Sequence, residues 1–188
     1  IMFIQTEETP NPNALKFFPE NEVSHKPLHF SSKEEARGVK LASKIFSIDG
    51  VMAVFYGSDF ITITKSEESK WEVLKPYIVS CMMDHFMSGL HAMDGFVEGA
   101  EDSYNKENYS DLENEIIEII ETRVRPSVAL DGGDITFKKF EDGVVYLELK
   151  GSCSGCPSST VTLKNGIESM LQYYVPEVIA VEAVSSEE

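Results

Sequence analysis

Basic side chains, cysteines and long apolar runs are all scarce in this sequence of 188 residues. Sixteen Lys and Arg stand against 32 Asp and Glu, so the formal net charge is −16. A surface this acidic repels phosphate backbones, which argues against nucleic acid as a partner. The longest apolar runs, such as 51–56 and 144–147, are far shorter than the ~20 residues of a membrane-spanning helix. We therefore expect a protein that binds neither nucleic acid nor a membrane.

The cysteine count and the first residues bear on the compartment. Three cysteines are too few, and odd in number, for a disulfide framework. The N-terminus has neither the basic start nor the apolar stretch of a secretory signal peptide. We expect a reducing compartment, in the first place the bacterial cytoplasm. Because Ile1 precedes Met2, a removed presequence and the mitochondrial matrix are the alternative.

A polar stretch at residues 99–110 divides the chain. It contains no aliphatic residue larger than alanine, and it has three acidic residues against one basic residue. This composition predicts a flexible acidic linker between a first domain, residues 1–98, and a second domain, residues 111–188. The first domain carries 14 acidic and 9 basic residues, and the second carries 15 and 6.

The hydrophobic patterns predict an α+β fold in both domains. In the first domain the predicted order is strand-strand-helix-strand-strand-helix. Its elements are strands at 2–7 and 14–18, a helix from the Ser32 and Glu35 capping box to Ile45, a hairpin of 51–56 with 60–64, and a helix at 71–88 that Pro76 starts or kinks.

The second domain has the predicted order helix-strand-strand-helix-strand. Its first helix starts at a capping box, falters near Pro126 and ends before Gly132. The Asp142-Gly143 pair is typical of a hairpin turn. The remaining elements are strands at 134–140 and 144–150, a helix through 163–174 and a strand at 178–184.

Cys153 and Cys156 form a C-x-x-C pair between a predicted strand and a predicted helix. Free amides at a helix N-terminus favour thiolates, so the spacing predicts lowered thiol pKa values and either metal or redox chemistry. A zinc or iron–sulfur centre takes four ligands, whereas the second domain has two cysteines and no histidine. A metal centre would therefore lie between two copies of a symmetric homodimer. The alternatives are a dithiol–disulfide oxidoreductase and a dimer closed by structural zinc.

Longer motifs resemble one family. The segment FIQTEETPNPNALKF at 3–17 resembles the N-terminal domain of Nfu-type proteins. The motifs RP at 125–126, DGGD at 131–134, GSCSGCPSS at 151–159 and LKNGI at 163–167 resemble the NifU C-terminal-like domain. Together these resemblances cover nearly the whole chain in the family's order.

The resemblance implies an iron–sulfur cluster scaffold or carrier, not an enzyme. It implies a 4Fe-4S cluster, built of iron and sulfide, that Cys153 and Cys156 of two protomers bridge as the only protein ligands. Gly151, Ser152, Ser154 and Gly155 would shape the loop. The donor would be an upstream scaffold or a cysteine desulfurase system, and the recipients would be apo iron–sulfur proteins, chosen by the first domain.

Three other patterns invite a functional interpretation, and we expect each to be structural. Cys81 and His85 lie four residues apart on one predicted helix, where they could share a metal, but a small buried thiol beside a histidine at the edge of the core is the commoner arrangement. The motif at 131–134 is typical of a helix C-terminus, and the two Pro-Asn pairs within 9–13 are typical of a turn.

Overall fold

The structure is a computed structural model that describes residues 3–98, 106–154 and 157–184. The chain divides into two compact units, Ile1–Glu98 and Gly99–Glu188. Each unit combines a sheet with helices around its own hydrophobic core, so the predicted α+β fold is confirmed. Residues 99–105 of the predicted linker lie outside the described residues, and Lys106–Asn108 form one 3₁₀ turn.

The first unit contains a five-stranded sheet in the order β1-β2-β5-β4-β3, with every neighbouring pair antiparallel. Its two helices pack their apolar residues against inward-facing side chains of the sheet, such as Phe17, Tyr56 and Ile63. The elements are β1 (Gln5–Glu8), β2 (Ala14–Phe18), β3 (Leu28–Phe30), α1 (Lys40–Phe46), β4 (Val51–Tyr56), β5 (Ile61–Lys65) and α2 (Trp71–Met87).

The capping box predicts a helix from Ser32 onward, and this prediction is wrong for the residues before Lys40. Glu35 N does donate to Ser32 Oγ at 3.2 Å, yet α1 begins only at Lys40. Gly38 has a φ of +93°, which a continuous right-handed helix does not allow. The prediction also lacked β3, since three residues carry too little alternation to indicate a strand. The 51–56 strand and its hairpin partner are confirmed.

Helix α2 starts at Trp71 and contains Pro76, so the proline does not start it. Within this helix His85 is fully buried. Its Nε2 lies 2.8 Å from the carbonyl oxygen of His91. Its Nδ1 is buried with no hydrogen-bonding partner among the described residues. His85 therefore has a structural place, as the sequence interpretation expected, but it lies inside the core of the first unit and not at its edge.

This burial makes the stability of the first unit depend on pH. Burial lowers the pKa of His85 below 6.5, although the hydrogen bond to His91 opposes the shift. As the pH drops through 6.5, His85 takes up a proton in the unfolded chain but stays neutral in the folded unit. The free energy of unfolding therefore falls over this pH range. One such proton changes that free energy by at most about 1.4 kcal/mol per pH unit.

We expect urea unfolding, followed by Trp71 fluorescence, to show this loss between pH 7.5 and 5.5. Trp71 is the single tryptophan of the chain and lies in the first unit. The variant His85→Gln has no imidazole to titrate, so its stability should change less over the same range. Equal pH dependence in the two proteins would contradict the assignment to His85.

The second unit contains a three-stranded sheet in the order β6-β7-β8. Strands β6 and β7 form an antiparallel hairpin, and β8 runs parallel to β7 after the intervening helix. This agrees with the predicted order of elements. The elements are α3 (Asp111–Ile119), a π-helical segment (Ile120–Val124), α4 (Arg125–Leu130), β6 (Gly133–Glu141), β7 (Val144–Gly151), α5 (Pro157–Tyr174) and β8 (Ala180–Val184).

Pro126 does not end the first helix of this unit. The chain passes from α3 through the π-helical segment Ile120–Val124 into α4, and Pro126 lies in the first turn of α4. Proline has no N–H to donate and its ring crowds the preceding turn, so a wider turn before it accommodates the ring. Helical structure thus continues to Leu130, close to the end that the sequence predicts.

Candidate metal centre

Two loops meet at one end of the β6-β7 hairpin. The strand register places Gly133 opposite Gly151, so the turn before β6 adjoins the loop after β7. Ser152 N donates to the carbonyl oxygen of Gly132 at 3.3 Å, and Ser152 Oγ donates to the carbonyl oxygen of Asp131 at 2.5 Å. Ser152 is 3% exposed. These bonds fix the start of the cysteine loop to the turn that follows α4.

Cys153 packs directly against Gly133. The Cys153 side chain is buried, and its residue is 8% exposed. A Cβ atom built on Gly133 would lie 2.5 Å from Cys153 Sγ and 2.9 Å from the carbonyl oxygen of Lys150. Real Cβ atoms do not approach other atoms this closely. The missing side chain at Gly133 therefore provides the space that the Cys153 sulfur occupies.

The loop itself turns sharply at Gly151, which has a φ of +66°. The amide and the hydroxyl of Ser154 both donate to the carbonyl oxygen of Gly151, at 3.1 and 3.0 Å. Gly151, Ser152 and Ser154 thus shape the loop as expected. Gly155 and Cys156 lie outside the described residues, so the structure places one of the two predicted ligands.

The environment of Cys153 differs from the one that the sequence predicts. Burial raises the pKa of its thiol to about 11, and the charges of Asp131 and Asp134 add to the rise, while a hydrogen bond with Ser152 opposes it. The expectation of a lowered pKa is therefore wrong for Cys153. Helix α5 begins only at Pro157, and the field of a helix N-terminus acts within about one turn. With this pKa, the Cys153 thiol is protonated at neutral pH.

Arg125 ties the first residues of β6 to α4. Its Nε and Nη2 donate to the two carboxylate oxygens of Asp134 at 2.8 and 2.9 Å, and its Nη1 donates to Glu121 at 2.8 Å. The Asp134 side chain is 6% exposed. A planar guanidinium that forms two parallel bonds to one carboxylate holds it in one orientation. Asp134 is thus bound by Arg125, and it supports the turn next to Cys153.

The motif at 131–134 is a structural turn, as the sequence interpretation expects. Asp131 N and Gly132 N donate to the carbonyl oxygens of Val128 and Ala129 at 3.1 and 3.0 Å, which closes α4. Gly132 has a φ of +83°, whereas Gly133 is already part of β6. The sequence analysis did not identify Arg125 as part of this support. No periodicity links it to Asp134, because a helix end, a turn and a strand separate the two residues.

We expect Arg125→Met to lower the free energy of unfolding of the second unit by about 2 kcal/mol, since it leaves the Asp134 carboxylate buried without its cation. Lys164→Met is the matched control. Lys164 pairs with Glu182 at 3.1 Å, and the Glu182 side chain is 51% exposed whereas that of Asp134 is 6% exposed, so the loss of this pair should cost less than about 1 kcal/mol. Urea unfolding of the apo chain followed by circular dichroism measures both. Equal losses would show that Arg125 is an ordinary surface residue.

The remaining candidate positions serve the fold. Within the described ranges, no group of three or more His, Cys, Asp or Glu side chains is placed to hold a metal ion. Within the first unit, side chains of β5 and α2 hold the turn at 9–13 in place. Lys65 Nζ donates to Asn13 Oδ1 at 2.8 Å, and Trp71 Nε1 donates to the carbonyl oxygen of Pro12 at 3.0 Å. This agrees with a structural turn.

Nowhere in the described part of the chain is a helix both long and apolar enough to cross a membrane.

Family models match both units. Residues 4–89 match the model for the scaffold protein Nfu/NifU N terminal, and residues 116–182 match the model for the NifU-like domain. The second match contains the turn at 131–134, the cysteine loop and Arg125. The order of the two matches along the chain is the order that the motifs predict.

Whole-chain relatives carry the same description. The chain is 47% identical to the human "NFU1 iron-sulfur cluster scaffold homolog, mitochondrial", over 100% of this chain and 74% of that protein. It is 48% identical to "NifU-like protein 4, mitochondrial" of Arabidopsis thaliana, over 96% of this chain and 65% of that protein. A solution NMR structure of a NifU-like protein from Saccharomyces cerevisiae is 31% identical over 50% of this chain and 85% of that chain, with a TM-score of 0.45. Family models match both units, and the human and Arabidopsis relatives are 47% and 48% identical over 100% and 96% of this chain. The chain therefore belongs to the Nfu/NifU family of iron–sulfur cluster scaffold proteins.

Proposed function

We propose that this chain carries a 4Fe-4S cluster that Cys153 and Cys156 of two copies hold between them, and that it passes this cluster to apo iron–sulfur proteins. The observation that carries the proposal is the position of Cys153. Its loop is anchored by Ser152 to the turn at 131–134, and its sulfur rests on Gly133. A thiolate ligand needs such a fixed position, because only a preorganised ligand holds a metal centre in one geometry.

The number of ligands favours a cluster shared by two copies. A 4Fe-4S cluster takes four cysteine thiolates, whereas the second domain contains Cys153 and Cys156 and no histidine. A two-fold axis through the cluster supplies the missing pair with no other protein ligand. The cluster is cargo in this arrangement, and no covalent turnover is needed.

The pKa of Cys153 suits a carrier that must release its cluster. A thiol whose pKa is raised to about 11 binds protons more tightly than an ordinary thiol, so protons compete better with iron for its sulfur. When a thiol of an acceptor protein binds iron, it gives up its proton, and the Cys153 sulfur that it displaces takes up a proton as it leaves iron. Transfer then proceeds by exchange of one thiolate for another as the two copies separate.

The same observation makes Cys153 a poor attacking thiol for a dithiol–disulfide oxidoreductase. Such an enzyme needs an accessible attacking thiol with a lowered pKa. Cys153 is buried, and burial raises its pKa to about 11. A dimer closed by structural zinc remains the second metal-based alternative, and it would be colourless.

The two domains have separate roles in this proposal. Residues 111–188 hold the cluster, and residues 1–98 contact the recipients, with the linker at 99–110 between them. An upstream scaffold or a cysteine desulfurase system supplies the cluster. The relatives named above are described as mitochondrial, which supports the mitochondrial matrix. The bacterial cytoplasm, our first expectation, has no support from these relatives.

Anaerobic reconstitution with ferrous iron and sulfide tests the proposal. We expect a brown protein with about two irons per chain and the mass of a dimer, since four irons are shared by two chains. A colourless monomer that forms a reversible disulfide between Cys153 and Cys156 would instead support the oxidoreductase. A colourless dimer that retains zinc after reduction would support the structural zinc site.

A further inference from the structure

Helix α2 of the first unit carries an apolar stripe on its exposed side. Val73, Tyr77 and Met87 are 58%, 64% and 71% exposed. They lie in one helix of 17 residues, and at about 100° per residue their positions fall within about 80° of one another around its axis. Other apolar residues of α2 occupy its core side. The stripe therefore has no part in the packing of the core, and an aligned set of exposed apolar side chains is typical of an interaction site.

A groove adjoins this stripe where α1 packs against α2. The groove has a volume of about 420 Å³. Its lining residues come from α1, from the chain just after α1 and from α2, and they are Lys44, Ile48, Tyr77, Ser80, Cys81 and Asp84. Because Tyr77 belongs to both the stripe and this lining, the two form one continuous surface, the α2 groove.

The rim of the α2 groove on the side of α1 is basic. Lys40 and Lys44 are exposed and lie four residues apart in α1, so they are neighbours on its surface. Among the described residues, neither ammonium group has a carboxylate within 4.0 Å. Burial raises the pKa of the Cys81 thiol, and the charge of Lys44 opposes this rise, which agrees with an ammonium group beside the groove. Asp84 supplies the carboxylate of the lining.

We propose that the α2 groove binds an acidic amphipathic helix of the recipient protein. The apolar side of that helix covers Val73 and Tyr77, and its carboxylates face Lys40 and Lys44. An amphipathic helix that lies in a groove contacts it through side chains three and four positions apart, which is also the spacing along α2. Opposite charges along one rim fix the orientation of the bound helix. The inference rests on the proposed function, in which the first domain contacts the recipients.

The size of the α2 groove fits a carrier that must leave its recipient. From Val73 to Met87 the stripe is about 21 Å long, which is the length of a helix of about 15 residues. One short helix buries less than the ~1,200 Å² of a specific, stable interface. The contact is therefore transient, and it takes no ligand from the cysteine loop in the other unit.

Two synthetic helical peptides of about 15 residues are the probes. Both carry leucine along one side, whereas the other side carries glutamate in the first peptide and lysine in the second. Fluorescence anisotropy of the labelled peptides with the full apo chain measures the dissociation constant. The rate at which iodoacetamide alkylates Cys81, read by mass spectrometry, reports whether the peptide covers the groove, because Cys81 is part of its lining.

Tyr77→Ser and Lys44→Gln test the apolar and the charged part of the contact. Lys75→Gln is the control for charge, since Lys75 is exposed on the same helix but lies about 200° around its axis from Val73. Tyr173→Ser is the control for an apolar side chain, since Tyr173 is 79% exposed and lies in the other unit. Thermal unfolding by circular dichroism shows whether each variant is folded.

We expect the glutamate peptide to bind and to slow the alkylation of Cys81, and the lysine peptide to do neither. Tyr77→Ser should raise the dissociation constant of the glutamate peptide about tenfold, as the loss of a central aromatic contact does. Lys44→Gln should raise it about threefold at low salt and less at high salt. Lys75→Gln and Tyr173→Ser should leave it unchanged.

Equal binding of the two peptides, or binding that leaves Cys81 unprotected, would overturn the inference. An equal effect of Tyr77→Ser and Tyr173→Ser would overturn it too, as would sedimentation of the apo chain as a dimer that Tyr77→Ser dissociates, because the groove would then hold a second copy. Iron uptake separates these results from the proposed function. Normal iron uptake without peptide binding would overturn this inference alone, whereas a wild-type chain that takes up no iron would overturn both.

Discussion

Cys153→Ser is expected to remove all cluster iron from the reconstituted chain, whereas Cys81→Ser should leave the iron content unchanged. Serine has nearly the same size as cysteine, but its hydroxyl does not ionise near neutral pH and is a poor ligand for iron–sulfur clusters. Each substituted copy therefore keeps one thiolate of two, and a dimer keeps two of the four that the cluster needs.

Cys81 is a suitable control because it is a thiol in the other unit. It lies in α2 and is partly buried, and burial raises its pKa as well. Iron per chain and the brown absorbance of the loaded protein are measured for both variants under the same anaerobic conditions. If Cys153→Ser retained the iron of the wild type, the ligands would lie elsewhere in the chain. If Cys81→Ser also lost its iron, the assignment to the C-x-x-C pair would be incomplete.

Gly133→Ala is expected to displace Cys153 and to lower the iron content several-fold. The new Cβ atom would lie 2.5 Å from Cys153 Sγ and 2.9 Å from the carbonyl oxygen of Lys150, so the cysteine loop and the paired strand must move apart. Overpacking of this kind costs about 1–3 kcal/mol in the free energy of unfolding. The sulfur also leaves the position from which we propose that it binds iron.

Gly166→Ala provides the matched control for this substitution. Gly166 lies in α5, and a Cβ atom built there meets nothing within 4 Å. Alanine is the better helix former, so we expect this variant to gain about 0.5–1 kcal/mol of stability and to bind iron like the wild type. Urea unfolding and iron analysis measure both variants. Wild-type iron content in Gly133→Ala would show that the close approach of Gly133 to Cys153 does not matter for the cluster.

The secondary structure of this protein was predictable where the local pattern was strong. The strand at 14–18 and the hairpin around Asp142-Gly143 appear as expected, because alternation and turn residues act between near neighbours in the chain. The prediction of a helix from Ser32 was wrong up to Lys40, because Gly38 has a positive φ. The pattern of apolar residues does not reveal such a backbone conformation. Strand β3 was absent from the prediction, since its three residues are held mainly by pairing with β4.

The sequence by itself determined the chemistry that is available to this protein. The C-x-x-C spacing, the absence of histidine from the second domain and the motifs at 3–17 and 151–159 are properties of the chain, and the family follows from them. The strong acidity and the lack of long apolar runs are likewise read from composition. These features need no knowledge of which residues meet in space.

Only the tertiary structure decided how the site is supported. Antiparallel pairing of β6 with β7 brings Gly133 next to Gly151, and this pairing places the sulfur of Cys153 over a residue that is 20 positions away in the sequence. The salt bridge of Arg125 with Asp134 and the raised pKa of Cys153 arise in the same way. Burial and electrostatic fields depend on distances between atoms, so local spacing predicted a lowered thiol pKa where the folded chain raises it.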